Sequence, residues 1–366
     1  MRSHWGFCVV GAGNGGCAMA VDLALRGFPV TLYSSDKGKL DEIERLGLTV
    51  EGAIEGSVRC MKLTNSPEEA AELARVIMVV VPAFVHSAAA ERFAPYLGDS
   101  HIVVLNPGRT LGAVEFEHVL RENGCLAQVV VAEAQSLLYA SRIVGPGRVR
   151  VFSVKRRVEV AALPSWRTQE VVKVLNQAWP QFVAAGNLLE TSLDNIGAIL
   201  HPTPTILNVS RIEAGDPFDY YHEGVSPTVA HLLGCLDAER LAVARSLGVR
   251  ARSLAKWLED AYGSTGSDLY ESIRNTGAYS GIKAPREVKT RYILEDVPTG
   301  LVPMSALGKL SGVRTPLMDS VVELASHIVG QDFWTSGRTL ENLGLNGMAP
   351  DDFSAYVREG REGASA

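Results

Sequence analysis

One short glycine-rich stretch near the start of the chain limits the folds open to it more than any other feature. The stretch Gly11-Ala12-Gly13-Asn14-Gly15-Gly16 has the spacing G-x-G-x-x-G. It follows the apolar run Phe7–Val10, opens a segment of helical composition and precedes a second strand-like run, Pro29–Tyr33. The glycine spacing alone is a weak signal, but a strand, a glycine turn, a helix and a second strand form the context of dinucleotide binding. The sequence therefore predicts a dinucleotide site at this turn.

The residues of this turn have separate expected roles. Gly11 permits the tight turn, Gly13 lets the backbone approach a pyrophosphate, and Gly16 allows the helix to pack closely on the sheet. The helix N-terminus supplies N–H groups and a partial positive charge for the phosphates. Asn14 lies within the turn, and we assign it to the cofactor site together with the three glycines.

The end of the second strand indicates which nicotinamide cofactor is used. NAD-binding domains carry an acidic residue there for the ribose 2′-hydroxyl, and the equivalent position of this chain is Ser34. The pair Ser34 and Ser35, followed by Lys37 and Lys39, suits a 2′-phosphate, because lysine binds phosphate as a point charge. We therefore favour NADP(H). Asp36 keeps NAD open, and the two lysines also fit an ordinary helix surface.

The first half of the chain alternates apolar runs with helical segments. The runs Val76–Val81, Ile102–Leu105 and Gln128–Ala132 are almost continuously apolar, as strands buried on both faces are. Such alternation predicts an α/β fold with a Rossmann-type, doubly wound parallel sheet.

Two loops follow these buried runs, where ligands of open α/β sheets bind outside the carboxyl ends of the strands. The first loop contains Pro82 and Ala83, and the second contains Asn106 and Gly108. We assign these four residues to the cofactor site, with their backbone groups facing the nicotinamide.

Beyond residue 186 the pattern changes from strands to helices. The segments Val229–Leu247, Ser253–Ala261 and Pro316–Ile328 are amphipathic at helical spacing. We predict a dinucleotide-binding domain over residues 1–186 and an all-α domain with the substrate and catalytic residues over residues 187–366. Because Val229–Leu247 could be buried within one chain or between two, a homodimer stays open.

The composition excludes several classes of partner. Asp and Glu number 41 against 35 Lys and Arg, a net charge of −6, whereas binding to a nucleic-acid backbone needs clustered basic residues. The longest apolar run is too short to span a membrane. The five cysteines are scattered without a C-x-x-C pair, which argues against a disulfide framework or a zinc site. We expect small-molecule partners, no metal and a cytoplasmic location.

The second half holds one segment of unusual composition, an apolar helical run that ends in His201-Pro202-Thr203-Pro204. Because proline disfavours the α-helical region for the residue before it, we expect His201 at a helix break with its backbone outside that region. Further along the chain, Arg291 and Asp296 precede another proline break. Histidine can exchange a proton near neutral pH and arginine can bind a carboxylate through paired hydrogen bonds, so residues of these types suit proton-transfer chemistry. A surface pair of Arg291 with Glu287 is the alternative for the arginine.

Together these motifs resemble the opine dehydrogenase family, the octopine/nopaline dehydrogenase group, over nearly the whole chain. The resemblance rests on Gly11–Gly16, Val81-Pro82-Ala83, Asn106-Pro107-Gly108-Arg109-Thr110, Asn195 with His201-Pro202, and Arg291-Tyr292 with Glu295-Asp296-Val297-Pro298. It implies a Rossmann domain followed by a helical domain, with the active site between them. It also implies that an amino acid condenses with a 2-oxo acid and that NAD(P)H reduces the imine to an N-(carboxyalkyl) amino acid.

The resemblance also implies roles for four residues. His201 matches the family's catalytic histidine, Asp296 its acidic partner, Arg291 an arginine that contacts the substrate carboxylate, and Asn195 an asparagine near the reacting groups. The chain departs from the family in having Ser34 where some members have an acid. It also has Ala134-Gln135 after Glu133, where many members have Thr-Asn, so Glu133 receives no role.

Two other functions fit parts of the sequence. A 2-oxo acid reductase of the ketopantoate reductase type resembles the first domain, but that family has a catalytic lysine in its helical half, and no lysine here has a matching context. A protein that senses NAD(P) without chemistry would need only the glycine turn. The histidine and carboxylate motifs argue against the sensing protein.

Overall fold

The computed structural model describes residues 6–59 and 61–360, and they divide into two compact units. Unit 1 comprises Met1–Thr191 with Ala355–Ala366, and unit 2 comprises Ser192–Ser354. The domain boundary predicted at residue 186 stays a prediction. None of the described helices combines the length and apolar character that a bilayer span needs.

Unit 1 contains two sheets. The main sheet has the order β12-β11-β8-β7-β6-β1-β2-β5, and the smaller sheet has the order β4-β3-β10-β9. The strands are β1 Phe7–Val10, β2 Val30–Tyr33, β3 Leu48–Gly52, β4 Gly56–Val58, β5 Lys62–Thr64, β6 Val76–Val79, β7 Ile102–Leu105, β8 Val130–Ala134, β9 Tyr139–Gly145, β10 Arg148–Val154, β11 Val158–Leu163 and β12 Phe182–Ala184.

The main sheet is parallel except where β11 pairs antiparallel with β8. Every residue of β1, β2, β6 and β7 is buried, as the continuous apolar runs predicted. The order reverses at β1, whose neighbours are β2 on one side and β6 on the other. This reversal is the topological switch point at which such sheets bind ligands. The doubly wound fold is therefore confirmed, whereas the smaller sheet was not foreseen.

The helices separate the strands of unit 1 and make up unit 2. They are α1 Asn14–Leu25, α2 Lys37–Leu46, α3 Pro67–Glu72, α4 His86–Phe93, α5 Gly112–Glu122, α6 Thr168–Leu175, α7 Leu188–Leu193, α8 Gly197–Leu200, α9 Pro202–Leu207, α10 Val209–Glu213, α11 Pro227–Ser246, α12 Leu254–Tyr262, α13 Leu269–Arg274, α14 Arg291–Leu294, α15 Val302–Leu310, α16 Pro316–Val329, α17 Phe333–Ser336 and α18 Pro350–Glu359. The all-α character of the second half is confirmed.

Side-chain caps explain where several of these helices begin. Ser66, Ser226 and Ser253 each precede a helix, and each hydroxyl accepts a hydrogen bond from a backbone N–H in the first turn. Such a bond satisfies one of the amides that a helix N-terminus leaves without an internal partner. Helix α11, the longest, packs against α8, α9, α13, α15 and α16 of its own unit. Its apolar stripe is therefore buried within the chain.

A buried carboxylate holds α1 in place behind the glycine turn. Asp22 Oδ2 accepts hydrogen bonds from Tyr139 Oη at 2.6 Å and Trp179 Nε1 at 2.7 Å, while Oδ1 accepts one from Arg26. Burial, and then the charge of Asp22, raise the pKa of Tyr139 well above its usual value, so it remains a phenol that donates. The network ties the helix of the predicted cofactor site to β9 and to the segment before β12.

Candidate active site

The glycine turn has the backbone geometry that the sequence predicted for a dinucleotide site. Gly11 has φ of +117°, and a Cβ there would lie 2.6 Å from the Val80 carbonyl oxygen. A Cβ on Gly16 would lie 1.8 Å from the carbonyl oxygen of Gly11, so neither position accepts a side chain. A Cβ on Gly13 would meet nothing within 4 Å. The turn therefore packs tightly on the protein side and leaves open space beside Gly13.

The N-terminus of α1 can receive an anion. Its N-cap residue, Gly13, provides no side-chain hydrogen bond, and no acidic residue lies in the first turn. The amides and the helix dipole are therefore available to phosphate oxygens. Asn14 does not point freely into this space, because its Oδ1 accepts a hydrogen bond from the Ile143 amide at 2.7 Å. The residues present fit a dinucleotide pyrophosphate, with Asn14 fixing the turn to β9.

The predicted ribose end of the site lies after β2. Ser34 is buried, and its hydroxyl accepts a hydrogen bond from the Asp36 amide at 3.2 Å. Asp36 in turn caps α2 by accepting a hydrogen bond from the Lys39 amide. Ser35 is exposed, and Lys37 pairs with Asp41 on the helix surface. The end of β2 therefore presents the hydroxyls of Ser34 and Ser35, with no acidic residue at position 34. Lys37 and Lys39 each lie beside an acidic residue of the same helix or its cap.

The two loops after β6 and β7 lie at the same sheet edge as the glycine turn. Pro82 precedes a 3₁₀ turn over Ala83–Val85, and Ala83 is buried. Asn106 is buried and donates a hydrogen bond from Nδ2 to the Val104 carbonyl at 2.9 Å. Gly108 is in van der Waals contact with Glu133, because a Cβ there would lie 2.3 Å from Glu133 Cβ.

Glu133 is a buried carboxylate in this region to which sequence reasoning gave no role. One of its oxygens accepts a hydrogen bond from the Ala113 amide at 3.0 Å, at the start of α5, and the other accepts one from Thr191 Oγ1 at 2.8 Å. Arg109 and Leu111 lie in the loop between β7 and α5, and both have left-handed backbones, with φ of 62° and 57°. A residue other than glycine is strained in that conformation, so Glu133 helps to hold a strained loop at the ligand edge of the sheet.

In unit 2 the structure brings His201 and Asp296 together. His201 Nδ1 lies 2.7 Å from Asp296 Oδ2, and the two side chains are 20% and 1% exposed. A buried carboxylate at this distance favours the tautomer of the imidazole that carries its proton on Nδ1. The ring of Tyr292 stacks on the imidazole with centroids 4.3 Å apart. His201 and Asp296, predicted as partners, are therefore hydrogen-bonded in a fixed orientation.

The backbone of His201 was predicted incorrectly. His201 has φ of −102° and ψ of −50°, within the α-helical region that we expected Pro202 to exclude. It ends α8 and also caps α9, and its carbonyl accepts the Thr205 amide. Proline is well tolerated at the first position of a helix because no N–H is needed there. The proline thus starts a new helix at His201, and the chain stays helical on both sides.

A π-helical turn, Val297–Leu301, directly follows Asp296 and packs against Asn195. Asn195 is buried against this turn, since a Cβ on Gly300 would lie 3.2 Å from Asn195 Nδ2. Turns with i→i+5 hydrogen bonds are rare and are often found at functional sites. The turn places the predicted asparagine beside the element that carries the acidic partner.

Arg291 begins α14, one turn before Asp296. Its Nε pairs with Glu295, which is only 1% exposed, while the arginine side chain itself is 60% exposed. The partner is therefore Glu295, and the alternative pair with Glu287 is not the one observed. A buried carboxylate that holds an exposed guanidinium gives a fixed cation that a ligand carboxylate can reach.

Two tyrosines that sequence reasoning missed complete this cluster. Tyr221 Oη lies 3.1 Å from His201 Nε2, and Tyr220 Oη donates a hydrogen bond to the His201 carbonyl at 2.6 Å. Burial raises the pKa of both phenols well above the usual value. Adjacent tyrosines in a loop between helices carry no recognisable spacing, so no pattern in the sequence connects them with His201.

The described cysteines are free thiols, and Cys8 and Cys17 are deeply buried. Burial raises the pKa of Cys8 far above its usual value and that of Cys17, beside the glycine turn, to about 12, so both remain thiols. Cys125 and Cys235 are free, and Cys60 lies outside the described residues. Residues 6–59 and 61–360 contain no group of three or more histidine, cysteine or acidic side chains placed to hold a metal.

Comparison with protein families assigns both halves of the chain. The model described as "NAD/NADP octopine/nopaline dehydrogenase, alpha-helical domain" matches residues 184–329, and that described as "Ketopantoate reductase PanE/ApbA" matches residues 7–164. An opine dehydrogenase of Arthrobacter sp. (strain 1C) is 41% identical over 344 residues, which cover 93% of this chain and 96% of the relative. Octopine dehydrogenase of Pecten maximus is 24% identical over 370 residues, which cover 90% and 92%.

Solved structures give the same fold. The octopine dehydrogenase complex with NADH and L-arginine has a TM-score of 0.81 at 22% identity and covers 97% of this chain and 98% of that one. Yersinopine dehydrogenase with NADP⁺ bound has a TM-score of 0.75 at 19% identity and covers 98% and 99%. A ketopantoate reductase from Ralstonia eutropha JMP134 reaches 0.60 at 20% identity.

A dinucleotide-binding sheet joined in sequence to a helical domain with an oriented histidine–carboxylate pair defines an NAD(P)-dependent oxidoreductase. The match to a ketopantoate reductase model ends at residue 164, whereas the 41% identity to an opine dehydrogenase extends over both halves. The chain belongs to the opine dehydrogenase family, and its activity is that of an NAD(P)-dependent oxidoreductase acting on CH–NH donors.

Proposed function

We propose that this protein catalyses the reversible reductive condensation of an amino acid with a 2-oxo acid to an N-(carboxyalkyl) amino acid, and that it favours NADPH over NADH. The observation that carries the proposal is the 2.7 Å contact between His201 Nδ1 and Asp296 Oδ2. It gives unit 2 a proton donor and acceptor of fixed tautomer, which imine chemistry requires.

The cofactor site in this proposal consists of the glycine turn and the loops at the same sheet edge. Gly11 and Gly16 shape the turn, the open space at Gly13 admits the pyrophosphate, and the amides of α1 bind it. Ser34 and Ser35 lie at the ribose, where the missing acidic residue favours a 2′-phosphate. Pro82, Ala83, Asn106 and Gly108 border the nicotinamide. When bound, the cofactor supplies a hydride to carbon.

The residues of unit 2 transfer the proton and bind the substrate carboxylates. His201 is the source of the proton that reaches the imine nitrogen in the reductive direction and recovers it in the oxidative direction. Asp296 stabilises the imidazolium while this happens. Arg291, held by Glu295, binds a substrate carboxylate, and Asn195 positions the reacting groups from beside Gly300.

We also propose a cytoplasmic location, supported by the free thiols of the described cysteines.

The test is a panel of amino acids against pyruvate and 2-oxoglutarate, with oxidation of NADPH and of NADH followed by absorbance. We expect turnover only when an amine and an oxo acid are both present, and faster turnover with NADPH. Replacement of His201 by Ala should lower turnover by on the order of 10²–10⁴ with cofactor affinity little changed. Turnover of an oxo acid alone would instead support the ketopantoate reductase type, and cofactor binding without oxidation under any pair would support a sensing protein.

A further inference from the structure

Both ring nitrogens of His201 have partners within unit 2. Nδ1 faces Asp296, and Nε2 lies 3.1 Å from the hydroxyl of Tyr221. The proposed reaction assigns Nε2 the proton that is exchanged with the substrate. Tyr221 therefore occupies the place at which that proton leaves or arrives.

Packing fixes the position of this hydroxyl. The Tyr221 ring is buried and stacks on Tyr279, with centroids 3.9 Å apart and planes 16° from parallel. The ring of Tyr220 also packs on Tyr221, nearly perpendicular to it with centroids 5.0 Å apart, and Tyr220 is itself bound to Thr205 Oγ1 and to the His201 carbonyl. A buried side chain packed against two rings cannot change rotamer without disrupting its neighbours, so the hydroxyl stays beside the imidazole.

A phenol in this position can pass a proton in either direction. Burial, and then the neighbouring tyrosines, raise the pKa of Tyr221 well above its usual value, so the hydroxyl keeps its proton at neutral pH. A phenol both donates and accepts. It donates to Nε2 when the imidazole is neutral, and its oxygen accepts from Nε2–H when the imidazole is charged.

We propose that Tyr221 is a proton relay between His201 and the substrate nitrogen, an inference that rests on the proposed function. In the reductive direction, the imidazolium N–H bond breaks and its proton moves to the phenol oxygen. The phenol O–H bond breaks at the same time, and its proton forms the new N–H bond at the imine nitrogen. The imidazole ends neutral, the tyrosine is unchanged and the nitrogen has gained one proton. The oxidative direction reverses each transfer.

The test compares Tyr221→Phe with Tyr262→Phe in the full chain. Both changes remove a phenol oxygen from the same aromatic cluster, because Tyr262 packs edge-on to Tyr279 at 5.5 Å, but only Tyr221 contacts His201. We expect Tyr221→Phe to lower kcat by on the order of 10²-fold, with the KM of each substrate little changed, and Tyr262→Phe to keep wild-type kcat. Mixed H₂O/D₂O rates should show two protons in flight in the wild type and one in Tyr221→Phe.

A second measurement does not depend on turnover. We expect the ¹⁵N resonance of His201 Nε2 in the ligand-free protein to move in Tyr221→Phe and to stay in place in Tyr262→Phe. Difluorotyrosine incorporated at position 221 keeps the ring and the hydroxyl but lowers the phenol pKa. It should restore turnover above the Phe variant with a pH profile displaced to lower pH, which a purely structural tyrosine would not produce.

Three outcomes would overturn the relay. They are near-normal kcat in Tyr221→Phe, equal losses in both Phe variants, and a difluorotyrosine pH profile identical to that of the wild type. A wild-type enzyme that oxidises no NAD(P)H with any amine and oxo acid would remove the proposed function and the relay with it. Active wild type with an active Tyr221→Phe variant would remove the relay alone.

Discussion

The glycine turn of unit 1 and the histidine centre of unit 2 are built by different means. The turn works through backbone shape within six consecutive residues, where a Cβ on Gly16 would lie 1.8 Å from the Gly11 oxygen. The centre works through side-chain atoms that come from distant parts of the chain, with His201 bound to Asp296 and Tyr221. We therefore expect added atoms to damage the turn and isosteric exchanges to damage the centre.

The largest effect should come from an isosteric change in the histidine centre, Asp296→Asn. The amide has the shape of the carboxylate, but it favours the wrong tautomer of His201 and cannot stabilise the imidazolium. We expect kcat to fall by on the order of 10³–10⁴ with the fold intact. Steady-state kinetics and circular dichroism together measure this.

A surface pair of the same chemistry provides the control. His327 Nε2 lies 3.2 Å from Glu323, and both side chains are exposed, so Glu323→Gln should leave kcat unchanged. A normal rate in Asp296→Asn would show that the histidine needs no oriented partner.

The next largest effect should come from alanine substitutions in the turn, where Gly16 and Gly13 are expected to respond differently. Gly16→Ala forces a backbone contact, and overpacking of this kind costs about 1–3 kcal/mol of folding free energy, which thermal unfolding would reveal. Gly13→Ala meets no protein atom within 4 Å, so its melting temperature should match the wild type. Its NADPH affinity, measured by fluorescence titration, should still fall, because the added methyl group enters the space assigned to the pyrophosphate. Unchanged affinity in Gly13→Ala would place the cofactor elsewhere.

Side chains support the turn from behind, and Asp22→Asn measures how much. The amide keeps one acceptor oxygen but turns a donor towards Tyr139, Trp179 or Arg26, so a buried donor loses its acceptor. We expect a loss of about 1–3 kcal/mol in the free energy of unfolding by denaturant. If kcat falls as far as it does in Asp296→Asn, the distinction between a backbone-built site and a side-chain-built site is wrong.

The same difference explains what the sequence could predict. The turn, its helix and the buried strands are contiguous patterns, and the glycine spacing alone predicted a tight turn at Gly11, where φ is +117°. His201 and Asp296 were paired only through a family resemblance, because no local spacing connects them. Tyr221 was missed and Glu133 received no role, since the partners of both side chains are set by tertiary packing. The backbone of His201 was predicted incorrectly because a proline that disfavours a helix before it also suits the first position of the next one.

The smallest effect should come from a change of cofactor preference at the end of β2. Ser34→Asp places a carboxylate where NAD-binding domains bind the ribose 2′-hydroxyl, and the same charge repels a 2′-phosphate. We expect the ratio of kcat/KM for NADPH to that for NADH to fall by about tenfold. Ser100→Asp is the matched control, because Ser100 is an exposed serine in the turn before β7 and has no role in the proposed cofactor site. A wild type that prefers NADH would contradict the proposed NADPH preference. If Ser34→Asp leaves the ratio unchanged, position 34 does not contact the ribose, and Asp36 becomes the residue to test.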